Sequence, residues 1–235
     1  MRRDVLMIPL NEKENLIVAT DNSGAIGMKP DDVVQVPYDI VSYFSFRVAV
    51  MECMAAGAVP ISVVINNFCS DDAWEAMNEG ISRGISELGF EHLPIIGSTE
   101  SNFQLLQSAV GITVLGKSNR KEPTNKPLIS PFKYAVIGSP LVGEEVINDK
   151  HLVAPLSLFK WMCEQEEVIQ IVPVGSKGIL YKLAQLNPSY NLNSLHDGID
   201  LSKSSGPSTC FLISYLPSGE NLVKKAAGSY FHQIS

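Results

Sequence analysis

Apolar residues follow two rhythms along this chain. Residues 5–10 (VLMIPL) and 15–20 (NLIVAT) flank the polar run NEKE, which predicts a β-hairpin. The glycine- and acid-rich stretch DNSGAIGMKPDD then reads as a loop. From Asp39 to Ala56 the period lengthens, and Val41, Phe44, Val48, Met51 and Ala55 recur at helical spacing. Asp39 is placed to act as the N-cap of that helix and Gly57 as its stop. VPISVVINNF (59–68) is rich in β-branched residues and reads as a strand. A second helix is predicted over residues 71–89, with the stripe Trp74, Met77, Ile81, Ile85 and Leu88 ended by Gly89. HLPIIGS and FQLLQSAVGITVLG read as two further strands.

This order, β-β-α-β-α-β-β, predicts an α+β domain over residues 1–117, with helices on one face of a mixed sheet. The polar, basic and proline-containing run that follows predicts a linker over 118–131, with Lys117 and Ser118 at its turn. Residues 132–235 read as a smaller α/β domain, with strands near 133–138, 167–173 and 209–216. Its helices are predicted near 152–165, 176–186 and 219–227.

Composition narrows the functional classes. Hydrophobic residues at 45% and charged residues at 18% are those of a folded globular chain. A net charge of −7 argues against nucleic acid or an anionic membrane as partner, since both recruit basic surfaces. The same balance suits a site that collects divalent cations, although a solvated acidic surface explains it equally. Cys53, Cys69, Cys163 and Cys210 are widely spaced, with no C-x-x-C pair, so zinc and redox motifs are unsupported. The start, MRRDVLMIPLNEKE, lacks the apolar core of a signal peptide, and the expected location is a reducing cytoplasm.

One stretch, GITVLGKS (111–118), matches the phosphate-binding pattern G-x-x-x-x-G-K-[ST] letter for letter. Such a loop needs pliable backbone whose N–H groups wrap a phosphate, and a helix starting at the lysine. Here the variable positions are Ile112, Thr113, Val114 and Leu115, and two prolines follow. The match is read as accidental.

Several acids instead stand at strand ends and helix starts. Asp21 ends the second predicted strand, Asp39 opens the first helix, and Glu100 follows the strand containing GSTESN. Glu52 lies in the apolar helix AVMECMAAGA, where an unpartnered carboxylate costs several kcal/mol. A bound Mg²⁺ is one possible partner; Arg47, Arg3 or exposure to solvent are others. Asp71 and Asp72 read as first-turn charges that complement a helix dipole.

In this order, IVATDNSGAIG, YDIVSYFSFRVAVMECMAAGAVP and IIGSTES resemble the ATP-binding superfamily of aminoimidazole ribonucleotide synthetase. Thiamine-monophosphate kinase, selenophosphate synthetase and a hydrogenase maturation protein are relatives. By resemblance, Asp21 matches the family's strand-end acid, Asp39 its helix-start acid and Glu52 its helix acid. GSTES (97–101) matches its glycine loop, with either Thr99 or Glu100 in the place of the loop acid, and RRDVLMI places Asp4 on a further acid.

The resemblance implies ATP held through Mg²⁺, in a homodimer whose N-terminal strands form a barrel. It implies Asp4, Asp21, Glu52 and Glu100 as metal ligands, and Asp21 and Asp39 as catalytic groups. Asn22, Ser23, Gly24, Gly97, Ser98, Thr99 and Asn102 are its nucleotide-binding positions. The short N-terminus, ATDNSGAIG and GSTESNF look most like the α-ribazole kinases, so the expected activity is phosphorylation of a nucleoside hydroxyl, with α-ribazole as substrate. A thiamine-monophosphate kinase, a synthetase-like ATP-dependent enzyme and a non-catalytic nucleotide binder are the alternatives. The chain departs from the family in the second half, where VGSKGIL (174–180) has Val174 and Lys177 where the similar motif DISDGL carries acids.

Overall fold

The computed structural model describes residues 4–119, 132–187, 195–196 and 198–234. They fall into two compact units, one within residues 4–119 and one from residue 132 onward. The linker expected over 118–131 lies outside the described residues except at Ser118 and Asn119, of which Ser118 is strand.

The first unit begins with the hairpin β1 (Val5–Pro9) and β2 (Asn15–Gly24). Two short strands, β3 (Ile26–Gly27) and β4 (Val34–Gln35), precede helix α1 (Tyr38–Ala55). Strand β5 (Val59–Asn67), helix α2 (Trp74–Glu87), β6 (Ile95–Thr99) and β7 (Ala109–Ser118) complete it. The main sheet runs β1-β2-β7-β5-β6. It is mixed, because β5 and β6 pair in parallel while the other neighbours are antiparallel.

Alternation along the strands decides what each face meets. Ile17, Ala19, Val63, Ile65, Ile112 and Val114 are fully buried on the face that α1 covers. The opposite face carries Leu6, Ile8, Val59 and Ile96 exposed, so the sheet has one covered side and one open, largely apolar side.

Three expectations about the strands need correction. Strand β2 does not stop at Thr20: Asp21, Asn22, Ser23 and Gly24 pair with Ile112, Gly111, Val110 and Ala109, because β7 is long enough to offer them partners. GITVLGKS is strand throughout, including Lys117 and Ser118, which pair with Leu16 and Asn15 rather than turning. The strand expected from Phe103 starts only at Ala109, and residues 103–107 form an exposed loop, because their apolar side chains meet no core.

Helix α1 starts at Tyr38, so Asp39 sits in its first turn and does not cap it. Gly57, at φ +76°, ends that helix as expected.

The second unit holds β8 (Lys133–Ile137), helix α3 (Glu145–Asn148), helix α4 (Leu156–Cys163) and β9 (Val168–Pro173). Helix α5 (Gly178–Leu186), the short strands β10 (Leu195–His196) and β11 (Ile199–Asp200), β12 (Phe211–Tyr215), helix α6 (Glu220–Ala227) and β13 (Phe231–Gln233) follow. Its sheet runs β13-β8-β12-β9 and is antiparallel. Ile179 and Leu183 of α5 pack with Val136 and Leu212 of the sheet, whereas Phe159 of α4 meets Phe211, which alternates to the other face. Among the described residues no helix is long and apolar enough to cross a membrane, and none of the four cysteines forms a disulfide.

Helices α1 and α2 approach through Gly80, where an added Cβ would strike the Asp39 carbonyl oxygen and the Ser42 hydroxyl. Gly→Ala inside a helix ordinarily stabilises by about 1 kcal/mol. Here Gly80→Ala is expected to destabilise by about 2 kcal/mol, the cost of overpacking, and chemical denaturation read by circular dichroism checks the sign.

Candidate functional site

The sheet topology of the first unit brings distant segments to one end. There β2 finishes at Gly24, β5 at Asn67 and β6 at Thr99, while β7 begins at Ala109. Strand β1 starts at the same end, with Val5 opposite Ala19, so Asp4 stands one residue beyond this pair, beside Thr20. Asp4, Asp21–Gly24 and Gly97–Glu100 are therefore gathered at one end of the sheet.

Asp21 is the most constrained of them. It continues the row of Ile17 and Ala19 on the covered face of β2, where the Ser45 hydroxyl and the Asn22 backbone N–H donate to its carboxylate. Although the residue keeps an intermediate exposure, the protein around its carboxyl displaces enough water to push the pKa up to about 7. The two hydrogen bonds only partly oppose that shift. Both donors are neutral, and no cationic side chain among the described residues contributes to it.

Glu52 is half-buried on α1, seven residues beyond Ser45 and so on the same face, roughly 10 Å further along the axis at 1.5 Å per residue. Glu100 lies three strand positions away from β2, roughly 14 Å at 4.8 Å per strand. Among the described residues no three His, Cys, Asp or Glu side chains come together as a metal-binding group.

The open face has its own pattern. Pairing aligns Asn22, Gly111, Asn66 and Ser98 in one row across β2, β7, β5 and β6. This polar strip lies at the end of the sheet where the acids gather, beyond the apolar positions. Gly97 alternates to the covered side, where a Cβ would strike the Ile65 carbonyl oxygen, so glycine is needed there for strand packing. Thr99 accepts a hydrogen bond from the Asn67 side-chain amide at 3.1 Å. Glu100 accepts the backbone N–H groups of Asn102 (2.7 Å) and Phe103 (3.3 Å), shaping the turn after β6. The Asp39 carboxylate pairs with Arg83 at 3.0 Å and joins α1 to α2. Asn22, Gly24 and Asn102 are exposed, and Ser23 is half-buried.

A cleft of about 780 Å³ opens beside Glu100, between the loops that follow β3, β5 and β6. Its wall rests on a network that the motif reading missed. Asp32, only 8% exposed, accepts the Ser108 backbone N–H and hydroxyl, both at 2.7 Å, and the Lys29 N–H at 2.9 Å. Burial raises the Asp32 pKa, but these bonds outweigh it and hold the carboxyl below its ordinary range. Tyr38 and Ser108 share a further hydrogen bond at 3.0 Å. The adjacent acids in PDD (30–32) were the only hint of this in the sequence, and their partner lies 76 residues away.

No family model matches the chain, and no curated protein matches it significantly. Solved structures do. PurL of Thermotoga maritima complexed with ADP superimposes with a TM-score of 0.63 at 12% identity, over 99% of this chain and 41% of that one. The tt0281 protein of Thermus thermophilus gives 0.64 at 12% identity, over 98% and 84%. AaThiL, a thiamine monophosphate kinase of Aquifex aeolicus complexed with AMPPCP and TMP, gives 0.61 at 13% identity, over 99% and 83%.

The likeness is one of fold. PurL and ThiL carry the aminoimidazole ribonucleotide synthetase-like fold that the motifs of the first half anticipate. The chain spans about two fifths of the PurL chain's length.

The desolvated Asp21 makes stability depend on pH. Its carboxyl is neutral in both folded and unfolded states well below pH 3.8, and the stability present there is lost as pH rises from 3.8 through 7. The loss is at most about 4 kcal/mol, at 1.36 kcal/mol per pH unit. In metal-free buffer, Asp21→Asn is therefore expected to gain in melting temperature over the native chain between pH 4 and pH 8, and to level off above pH 8.

Proposed function

We propose that this chain is an ATP- and Mg²⁺-dependent small-molecule kinase that phosphorylates a nucleoside hydroxyl, with α-ribazole the favoured acceptor. The observation that carries the proposal is Asp21: a desolvated carboxyl with only neutral donors, at the end of the sheet where Asp4, the polar strip and Gly97–Glu100 gather. The fold supports it, since a PurL chain of this fold was solved with ADP and a ThiL chain with AMPPCP.

Mg²⁺ is ordinarily held by one or two carboxylates, with phosphates and water filling the rest of its shell. That demand needs no cluster of three acids: Asp21 is proposed as one ligand, and Asp4, toward the open face at the same end of the sheet, as a further one. Bound there, Mg²⁺ would neutralise phosphate oxygens during transfer. Glu52 and Glu100, set apart from Asp21, would serve further ions along the triphosphate. Asn22, Ser23, Gly24, Ser98, Thr99 and Asn102 would offer hydrogen bonds to the nucleotide, and Gly97 keeps β6 close enough to β5 for Ser98 to join the strip. Asp39 enters as a positioning group that fixes the start of α1 through Arg83.

In the transfer, the acceptor oxygen bonds to the γ-phosphorus as the bridging P–O bond breaks and ADP leaves. A carboxylate of the set takes the hydroxyl proton. A second copy of the chain is the proposed cover for the open apolar face, which exposes 59% of Leu6, 61% of Val59 and 68% of Ile96.

Calorimetry with ATP and Mg²⁺ tests the site. Glu52→Ala is expected to weaken nucleotide binding at least tenfold, about 1.4 kcal/mol, and unchanged affinity would remove it as a ligand. Lys117→Ala is expected to leave affinity unchanged, because Lys117 is a strand residue beside Glu14. ADP release measured with α-ribazole, thiamine monophosphate and formylglycinamidine ribonucleotide decides the acceptor. ATP binding without turnover of any of them would make the chain a non-catalytic nucleotide binder.

A further inference from the structure

The cleft of the first unit carries a charge imbalance. Asp31, Asp71, Asp72 and Glu100 line it, and Lys29 is the one basic residue among the described residues that do. The Lys29 ammonium is already engaged, donating to the Phe68 carbonyl at 3.1 Å and the Leu105 carbonyl at 2.9 Å. Without a metal ion on Glu100, a phosphate entering the cleft would meet four carboxylates, and an ammonium that must first give up two hydrogen bonds.

The remaining wall is apolar and open. Phe103 is 78% exposed, Leu106 77% and Met28 63%, and Phe68 stands beside them. Side chains of this kind are normally covered, and together they present aromatic and aliphatic surface to whatever fills the space. The rim is held in shape: Ser70 adopts φ +93°, a strained value for a residue other than glycine, and the Asn67 amide donates to its carbonyl at 2.7 Å. The volume suits a small organic molecule.

We propose that this cleft binds the phosphoryl acceptor as an aromatic ligand that is neutral or positively charged and carries no phosphate of its own. Phe68 and Phe103 supply the ring contacts, and the carboxylates of Asp71 and Asp72 favour a cationic ring or substituent. The word acceptor rests on the kinase reading above; the binding preference does not.

The test uses the full chain without nucleotide or metal, and calorimetry with thiamine and thiamine monophosphate, an aromatic cation without and with a phosphate. Thiamine is expected to bind at least tenfold more tightly than its monophosphate. Phe103→Ala should weaken thiamine about tenfold, and Asp71→Lys combined with Asp72→Lys should remove the preference or reverse it. All three positions are exposed, so the variants keep the fold. Equal or tighter binding of the monophosphate overturns the proposal, as does absence of thiamine binding at millimolar concentration or indifference to both variants. Loss of the kinase reading, seen as absence of ATP binding, would leave a measured thiamine preference standing.

Discussion

Strand β7 lies between β2 and β5, and its ladder to these two neighbours is what the rest of the first unit depends on. It pairs with β2 along ten residues and with β5 along eight. Because side chains alternate, that pairing divides the sheet into a face sealed by α1 and a face left open. It also carries β2 four residues past the point where its apolar pattern ends. Asp21 is thereby brought under α1, beside Ser45, and Asn22 is turned to the opposite face. A strand that stopped at Thr20 would leave both in a solvated loop, with no desolvated carboxyl and no polar strip.

The price of this arrangement is a desolvated acid. Such a carboxyl with neutral donors weakens the fold once it ionises, and the cation proposed above for this end of the sheet would remove that cost. Asp32 shows the contrast within the same unit. It is the less exposed of the two, yet three donors satisfy it and its charge is retained, so it acts as a structural anchor for Lys29 and Ser108. The two carboxyls are thus shifted in opposite directions, Asp21 upward by the loss of water around it and Asp32 downward by the donors and the Lys29 charge that outweigh its burial.

Much of the element order was legible along the chain. The apolar period of α1, the β-branched run of β5 and the stripe of α2 each encode their own structure, because local sterics and one-sided burial act within a few residues. The accidental phosphate motif could also be set aside from its own residues, since Ile112–Leu115 are strand-formers. The loop at 103–107 was misread because Phe103, Leu105 and Leu106 resemble a buried strand. Nothing local says that no core exists above them. Among the acids, the sequence placed Asp21 and Glu100 near the ends of strands, but the engagement of Asp39 with Arg83 joins residues 44 apart.

The amino-acid sequence by itself determined the two helices of the first unit and the apolar runs of β1, β2 and β5, because those properties follow from local period and residue type. Only the tertiary structure decided how far β2 and β7 run together, which face each acid meets and which loops enclose the cleft. Those outcomes depend on contacts such as Asp32 with Ser108 and Lys29 with Phe68 and Leu105. The energies of such contacts come from burial and pairing between distant segments, and no short window of residues contains both partners.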